Sequence, residues 1–176
     1  MSHSTSIPTS SITSPSQNST FHGQCFSMTD LVTLDPSSMA TIPRHQIVVS
    51  SSYGFDETLQ RLRDAIAAAE LWIIHEIDPQ ALLRKGGIST IRLRQLLWFH
   101  PRYMARLLLT DPGAVPEAPF KFVVSEQAAG VTVCALNPIL VFSPYPRLFG
   151  LAHELFDATE RMLETVSTMP VSGGDI

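Results

Sequence analysis

Apolar and polar residues alternate over residues 91–94, an apolar run covers residues 96–99, and apolar residues then recur at helical spacing, so this stretch predicts a strand that runs into a helix. His100-Pro101 lies at the corner, where proline suits the first helical position because its missing N–H needs no partner there. Alternate side chains of a strand share a face. We expect the core face of this strand to contain Ile91, Leu93, Gln95, Leu97 and Phe99. The other face is mixed and contains Arg92, Arg94, Leu96, Trp98 and His100.

Short runs rich in β-branched and apolar residues predict four more strands, over residues 46–50, 72–77, 120–125 and 131–136. The spacing of the last two, with a glycine between them, is typical of a hairpin. An apolar stripe after Asp56 predicts a helix, with Asp56 as its N-cap. A second stripe from Leu148 to Val166 predicts another long helix.

The order of the predicted elements is β-α-β-β-(α)-β-β-α, with a short helical turn over residues 79–85. This order lacks the regular strand–helix alternation of a doubly wound fold. It favours an α+β fold, in which an antiparallel β-sheet of about five strands has two long helices packed on one face.

Composition divides the chain into three parts. Residues 1–40 are rich in serine and threonine and contain only two charged residues, Asp30 and Asp35, which predicts a disordered tail. Residues 41–168 form the predicted single α+β domain, and residues 169–176 form a frayed C-terminal tail. An apolar fraction of 44% supplies a core for one domain.

Charge and cysteine content exclude several classes of protein. The net charge of −4 gives no support to nucleic-acid binding, and no apolar run approaches the length of a membrane span. Cys25 and Cys134 lie far apart, so a disulfide framework is not expected. No lysine or arginine precedes Arg44 and no apolar signal core is present, so the default expectation is a cytoplasmic protein.

The strongest chemical feature is a basic stretch between Pro79 and Thr110, which contains six basic residues and no acid. Arg92 and Arg94 could bind a carboxylate or phosphate group, because guanidinium groups bind such groups in a bidentate way. Trp98 and His100 would complete a ligand-binding set on the same face. The alternative is that these arginines form ion pairs with acids elsewhere, such as Glu117, Glu126 or those of the last helix.

Metal and catalytic signals are weak. The possible metal or haem ligands show no recognised spacing, and they are His75, His100, His153 and Cys134. No cofactor is therefore predicted. If a metal or haem site exists, His100 is the first ligand to test. Cys134 lies within a predicted strand and is expected to be an inert thiol, while Glu76 and Asp78 are expected to cap the turn that follows them.

Four segments resemble one known family: YGFDETLQRLRDAI, IIHEIDPQALLRKGGI, LLWFHPRYMARLL and PFKFVVSEQAAGVTVCALNP. They look like the bacterial family known as domain of unknown function 302 (DUF302), over about residues 47–163. The resemblance implies a compact α+β fold with an antiparallel sheet, often dimeric, and no settled activity. At the strand–helix corner, His100 stands where that family usually has asparagine before proline.

Three functional hypotheses follow. The first is a non-catalytic protein that binds a small anionic or amphipathic ligand through Arg92, Arg94, Trp98 and His100. The second is a homodimeric interaction module that uses its sheet face or edge, with Trp98 and the helix stripes at the interface. An enzyme that uses His100 as acid–base comes third, so the protein is more readily interpreted as a binding protein than as an enzyme.

Overall fold

The computed structural model of the chain describes residues 42–167. The predictions of a disordered tail over residues 1–40 and a frayed tail over residues 169–176 lie outside these described residues. Cys25 lies outside them as well.

Five strands form one antiparallel sheet, in the spatial order β1-β5-β4-β3-β2. The strands are β1 (Gln46–Ser50), β2 (Trp72–Ile77), β3 (Leu93–Phe99), β4 (Phe120–Gln127) and β5 (Gly130–Leu136). β4 and β5 form the predicted hairpin, whose turn is closed by the pair Gln127 and Gly130. Gly130 has a φ of 128°, a conformation that other residues rarely adopt, which explains the glycine at this turn.

Within residues 42–167, five α-helices connect or follow the strands: α1 (Phe55–Ala68), α2 (Pro79–Lys85), α3 (Pro101–Thr110), α4 (Pro138–Val141) and α5 (Phe149–Glu164). Two 3-10 helices cover Pro112–Glu117 and Pro146–Leu148. Helices α2, α3 and α4 each begin with proline, and the side chain of the preceding residue caps each of them. In the described part of the chain, no helix is long and apolar enough to cross a membrane.

The long helices α1 and α5 pack on one face of the sheet, and this confirms the predicted α+β architecture. The covered face carries a row of side chains that runs across all five strands, formed by Ile47, Ala135, Phe122, Leu96 and Glu76. The buried stripe of α1, which includes Leu62 and Ile66, belongs to the same core cluster as Leu96, Phe122 and Ala135 of this row. The α5 stripe joins that cluster through Leu155, Met162 and Leu163.

The expected orientation of β3 was wrong. Leu96 and Trp98 are 0% and 1% exposed and belong to the core, whereas Leu93, Gln95 and Leu97 lie half-buried on the uncovered face. Phe99 is buried from the end of the strand, where its ring packs against Tyr103 and Phe120. A period of two separates the faces of a strand, but it does not specify which face the helices cover.

The expected N-cap of α1 was also wrong. Gly54 occupies the N-cap position, and Asp56 lies within the first turn of the helix. This shift leaves the Asp56 carboxylate free to contact the sheet instead of the helix backbone.

The orientation of β3 predicts that truncation of two adjacent leucines lowers the free energy of unfolding by different amounts. Leu96→Ala should lower the free energy of unfolding by about 2–5 kcal/mol, because it opens a cavity in a closely packed core. Leu97→Ala removes the same atoms from the half-buried face and should lower the free energy of unfolding by less than half as much. Urea denaturation followed by circular dichroism measures both values, and a larger loss in Leu97→Ala would contradict the assigned faces.

Candidate functional site

The four residues predicted to bind a ligand do not meet at one place. Arg92 and His100 flank opposite ends of β3, and the eight steps between these two residues span about 26 Å at a rise of about 3.3 Å per residue. Between them, Trp98 is 1% exposed and contributes no surface. Ligand binding by these four residues stays a prediction. In the structure the two arginines lie near one end of β3 and His100 lies beyond the other end.

Arg92 is held by two acids and one aromatic ring. Its guanidinium lies 2.5 Å from Asp56 Oδ1 in α1 and 3.5 Å from Glu126 Oε2 in β4. The guanidinium also lies over the Phe55 ring, 4.2 Å from the centroid. Hydrogen bonding from Arg92 lowers the pKa of the Asp56 carboxyl. Arg92 therefore connects the start of α1 to the sheet.

Arg94 forms a second group of ion pairs next to the first. Its Nη1 lies 2.5 Å from Asp78 Oδ1, and its Nε lies 3.5 Å from Glu76 Oε1. The Arg63 side chain in α1 donates to both oxygens of Glu76 at 2.9–3.2 Å. Asp78 also accepts from the Ala81 N–H and so caps α2, as the sequence predicted.

We call these residues the arginine–carboxylate network: Asp56, Arg63, Glu76, Asp78, Arg92, Arg94 and Glu126. Three guanidinium groups meet four carboxylates, so the network carries no surplus of positive charge for an anionic ligand. Of the two interpretations that the sequence left open, this is the arrangement expected if the arginines pair with acids. Glu126 was among the expected acids, but Asp56, Glu76 and Asp78 were not.

His100 acts as the N-cap of α3. Its Nδ1 accepts a hydrogen bond from the Arg102 N–H at 3.1 Å. Its ring meets the Trp72 ring edge to face, with 5.2 Å between the centroids. Trp72 is 55% exposed at the start of the edge strand β2, and sequence reasoning missed it as a surface residue.

Trp98 belongs to an aromatic cluster of the core. Its ring lies 5.7 Å from that of Phe120 and 5.6 Å from that of Phe122. In the described part of the chain its buried Nε1 has no hydrogen-bond acceptor, which costs about 1–3 kcal/mol. The ring contacts and apolar burial offset this cost, so the role of Trp98 in the structure is packing.

The other candidate ligands are dispersed. Among residues 42–167, no group of three or more histidine, cysteine, aspartate or glutamate side chains could hold a metal ion. The His153 ring packs against Phe149, with 4.3 Å between the centroids. Burial raises the pKa of the Cys134 thiol, which keeps it protonated and poorly nucleophilic.

Sequence reasoning also misassigned the face of the sheet that residues 42–167 leave uncovered, which we call the open face. Its central row crosses all five strands and consists of Val48, Cys134, Val123, Gln95 and Ile77. Further open-face residues are Gln46, His75, Leu93, Leu97, Lys121, Ser125, Thr132 and Leu136. None of these residues carries a carboxylate, and Lys121 supplies the formal charge. A correct orientation of β3 would have revealed this face.

The capping role of His100 predicts the effect of two substitutions. His100→Ala removes the acceptor of the Arg102 N–H and should lower the free energy of unfolding by about 1 kcal/mol. His100→Asn supplies a side-chain oxygen at the same position and should retain most of the stability. Thermal denaturation compares the two variants, and equal losses would contradict the capping role.

The Asp56–Arg92 pair predicts a pH-dependent contribution to stability. The folded pKa of Asp56 is lowered, so its stabilisation is complete above the unfolded pKa, near pH 4, and disappears as the pH falls through the folded pKa. Asp56→Asn should therefore lower the melting temperature at pH 7, and its difference from wild type should shrink as the pH falls below about 4.

The matched control is Asp64→Asn, because Asp64 lies in the same helix and accepts a hydrogen bond from Gln60 instead of from Arg92. Its melting temperature relative to wild type should not follow the same pH profile. A loss in Asp56→Asn that is as large at pH 2 as at pH 7 would exclude the ion pair as its source.

Comparison with known proteins supports one family. Among curated proteins, no match was found for this chain. A crystal structure described as that of an uncharacterized conserved protein DUF302 from Bacillus stearothermophilus is similar, with a TM-score of 0.65 and 18% sequence identity. The similarity covers 70% of this chain and 98% of that chain, and at this identity it establishes the fold alone. The profile of the family described as "Domain of unknown function DUF302" matches residues 47–167, so the chain belongs to the DUF302 family.

Proposed function

We propose that this domain is a non-catalytic interaction module that forms a homodimer through its open face. The observation that supports this proposal is the central row of the open face. Its valine, cysteine, glutamine and isoleucine side chains lie half-buried, and no helix of the described residues packs over them. On the other side of the same sheet, the helices bury the corresponding row. A second sheet could cover the open face in the same way.

The composition of the open face suits contact with another protein. Interface centres are depleted in charged residues, and the ionisable side chains of this face, apart from Cys134, are Lys121 and His75. Both residues lie beside Leu97, toward one end of the strands, so Val123 and its neighbours form an uncharged centre. A second copy would bring the same uncharged centre and would add no carboxylate that needs a partner.

The size of the face is sufficient for a modest interface. Five strands about 4.8 Å apart and about six residues long span about 24 by 20 Å, or about 480 Å² in projection. Because side chains project from the sheet, the accessible area of the face is larger than its projection. It approaches the lower end of the roughly 600–1,000 Å² that each partner buries in a stable interface. In the proposed dimer, two sheets pack about 10 Å apart around a twofold axis.

The geometry gives less support to the ligand-binding hypothesis and to the enzyme hypothesis. Arg92 and Arg94 already contact four carboxylates, and Trp98 lies in the core. The His100 Nδ1 atom is occupied by the cap of α3, so an acid–base role would fall to Nε2 alone. An interaction module requires none of these residues to react or to bind a ligand.

Val123→Glu tests the proposed dimer. Val123 lies on the central strand β4, where a buried and unpaired carboxylate should convert the dimer to monomers. Leu109→Glu is the matched control, because Leu109 is 87% exposed on α3 and lies outside the sheet. Sedimentation velocity at several protein concentrations measures the mass, and circular dichroism confirms the fold of each variant.

The expected result is a dimeric wild type, a dimeric Leu109→Glu variant and a folded, monomeric Val123→Glu variant. A monomeric wild type, or a Val123→Glu variant that remains dimeric, would refute the proposal. Trp98 is 1% exposed, so a substitution there would disrupt the core and would not test an interface.

A further inference from the structure

The six basic residues between Pro79 and Thr110 differ in whether they form ion pairs with carboxylates. Arg92 and Arg94 belong to the arginine–carboxylate network. Arg102 lies 3.8 Å from Glu70, and Arg106 lies 2.5 Å from Glu154. Within residues 42–167, Arg84 and Lys85 form no ion pair with a carboxylate. The positive charge that this stretch retains is therefore concentrated at the end of α2.

A surface groove of about 190 Å³ lies next to Arg84. Its lining residues are Gln80, Arg84, Gly87, Ile88, Ser89 and Thr90. Gln80 and Arg84 are four residues apart on α2, so they face the groove from the same side. Residues 87–90 form the opposite wall. None of the lining residues carries a carboxylate, so no acid of the described residues compensates the positive charge of Arg84 in the groove.

The backbone holds the two walls of the groove together. The N–H groups of Gly87 and Ile88 donate to the carbonyl oxygens of Arg84 and Leu83, each at 3.0 Å. Gly87 has a φ of 76°, which allows this tight return at the end of α2. The Gln80 side chain donates to the Thr90 carbonyl at 3.4 Å and connects the walls a second time. The groove is therefore formed before any ligand enters.

We propose that this groove binds a phosphate group. Arg84 would supply the charge, and the Ser89 hydroxyl and the second N–H of the Gln80 amide would donate hydrogen bonds from opposite walls. A tetrahedral oxyanion can direct different oxygens to different walls, whereas a planar carboxylate cannot do so equally well. The site is separate from the open face and does not depend on the proposed dimer.

Titration of the full chain with inorganic phosphate at constant ionic strength tests this site. Two-dimensional NMR should show saturable shifts of the Ser89 and Thr90 amide signals. Arg84→Gln should weaken binding about tenfold or more, because it removes the charge-assisted hydrogen bond. Lys85→Gln is the matched control, because it removes the same charge from the next residue, which does not line the groove. It should change the affinity less than about twofold.

Three results would overturn the proposal. The first is the absence of saturable phosphate binding by wild type, and the second is an equal loss of affinity in Arg84→Gln and Lys85→Gln, which would indicate a diffuse charge effect. The third is acetate binding as tightly as phosphate, which would contradict the assignment to a tetrahedral oxyanion. Sedimentation of Arg84→Gln should show the wild-type mass, which separates this test from that of the dimer.

Discussion

Burial of one face of the sheet is the interaction on which the rest of the structure depends. Helices α1 and α5 contribute Leu62, Ile66 and Leu155 to a core whose other side is the row through Phe122 and Leu96. Each large apolar side chain that is fully buried there contributes about 1.5–3 kcal/mol. Because these helices pack on the same side, the sheet has one covered face and one face that residues 42–167 leave open.

Electrostatics reinforces this asymmetry. The arginine–carboxylate network connects the first turn of α1 to β2, β3 and β4, so the acids and bases near the covered face neutralise one another. The central row of the open face lacks formal charge, and the end of α2 retains Arg84 and Lys85 without acidic partners in the described part of the chain. An uncharged face is suited to a protein partner, and an uncompensated guanidinium beside a groove is suited to an anion.

Sequence reasoning succeeded where a signal is local. The bounds of β1 and β2, the proline that begins α3, and the cap that Asp78 provides follow from residue types within a few positions of one another. It failed where the outcome depends on distant contacts. The acids that neutralise Arg92 and Arg94 come from α1, β2 and β4 and from the turn before α2, and no pattern near the arginines identifies them.

The sequence by itself determined the order of the elements, the α+β class and the family, because periodicity, prolines and turn residues act over short distances. Only the tertiary structure decided which face of β3 became core, and with it the burial of Trp98 and the exposure of Leu97. The physical reason is that the two faces of an isolated strand are equivalent until helices cover one of them. The same packing brought distant acids to Arg92 and Arg94 and left Arg84 beside a groove.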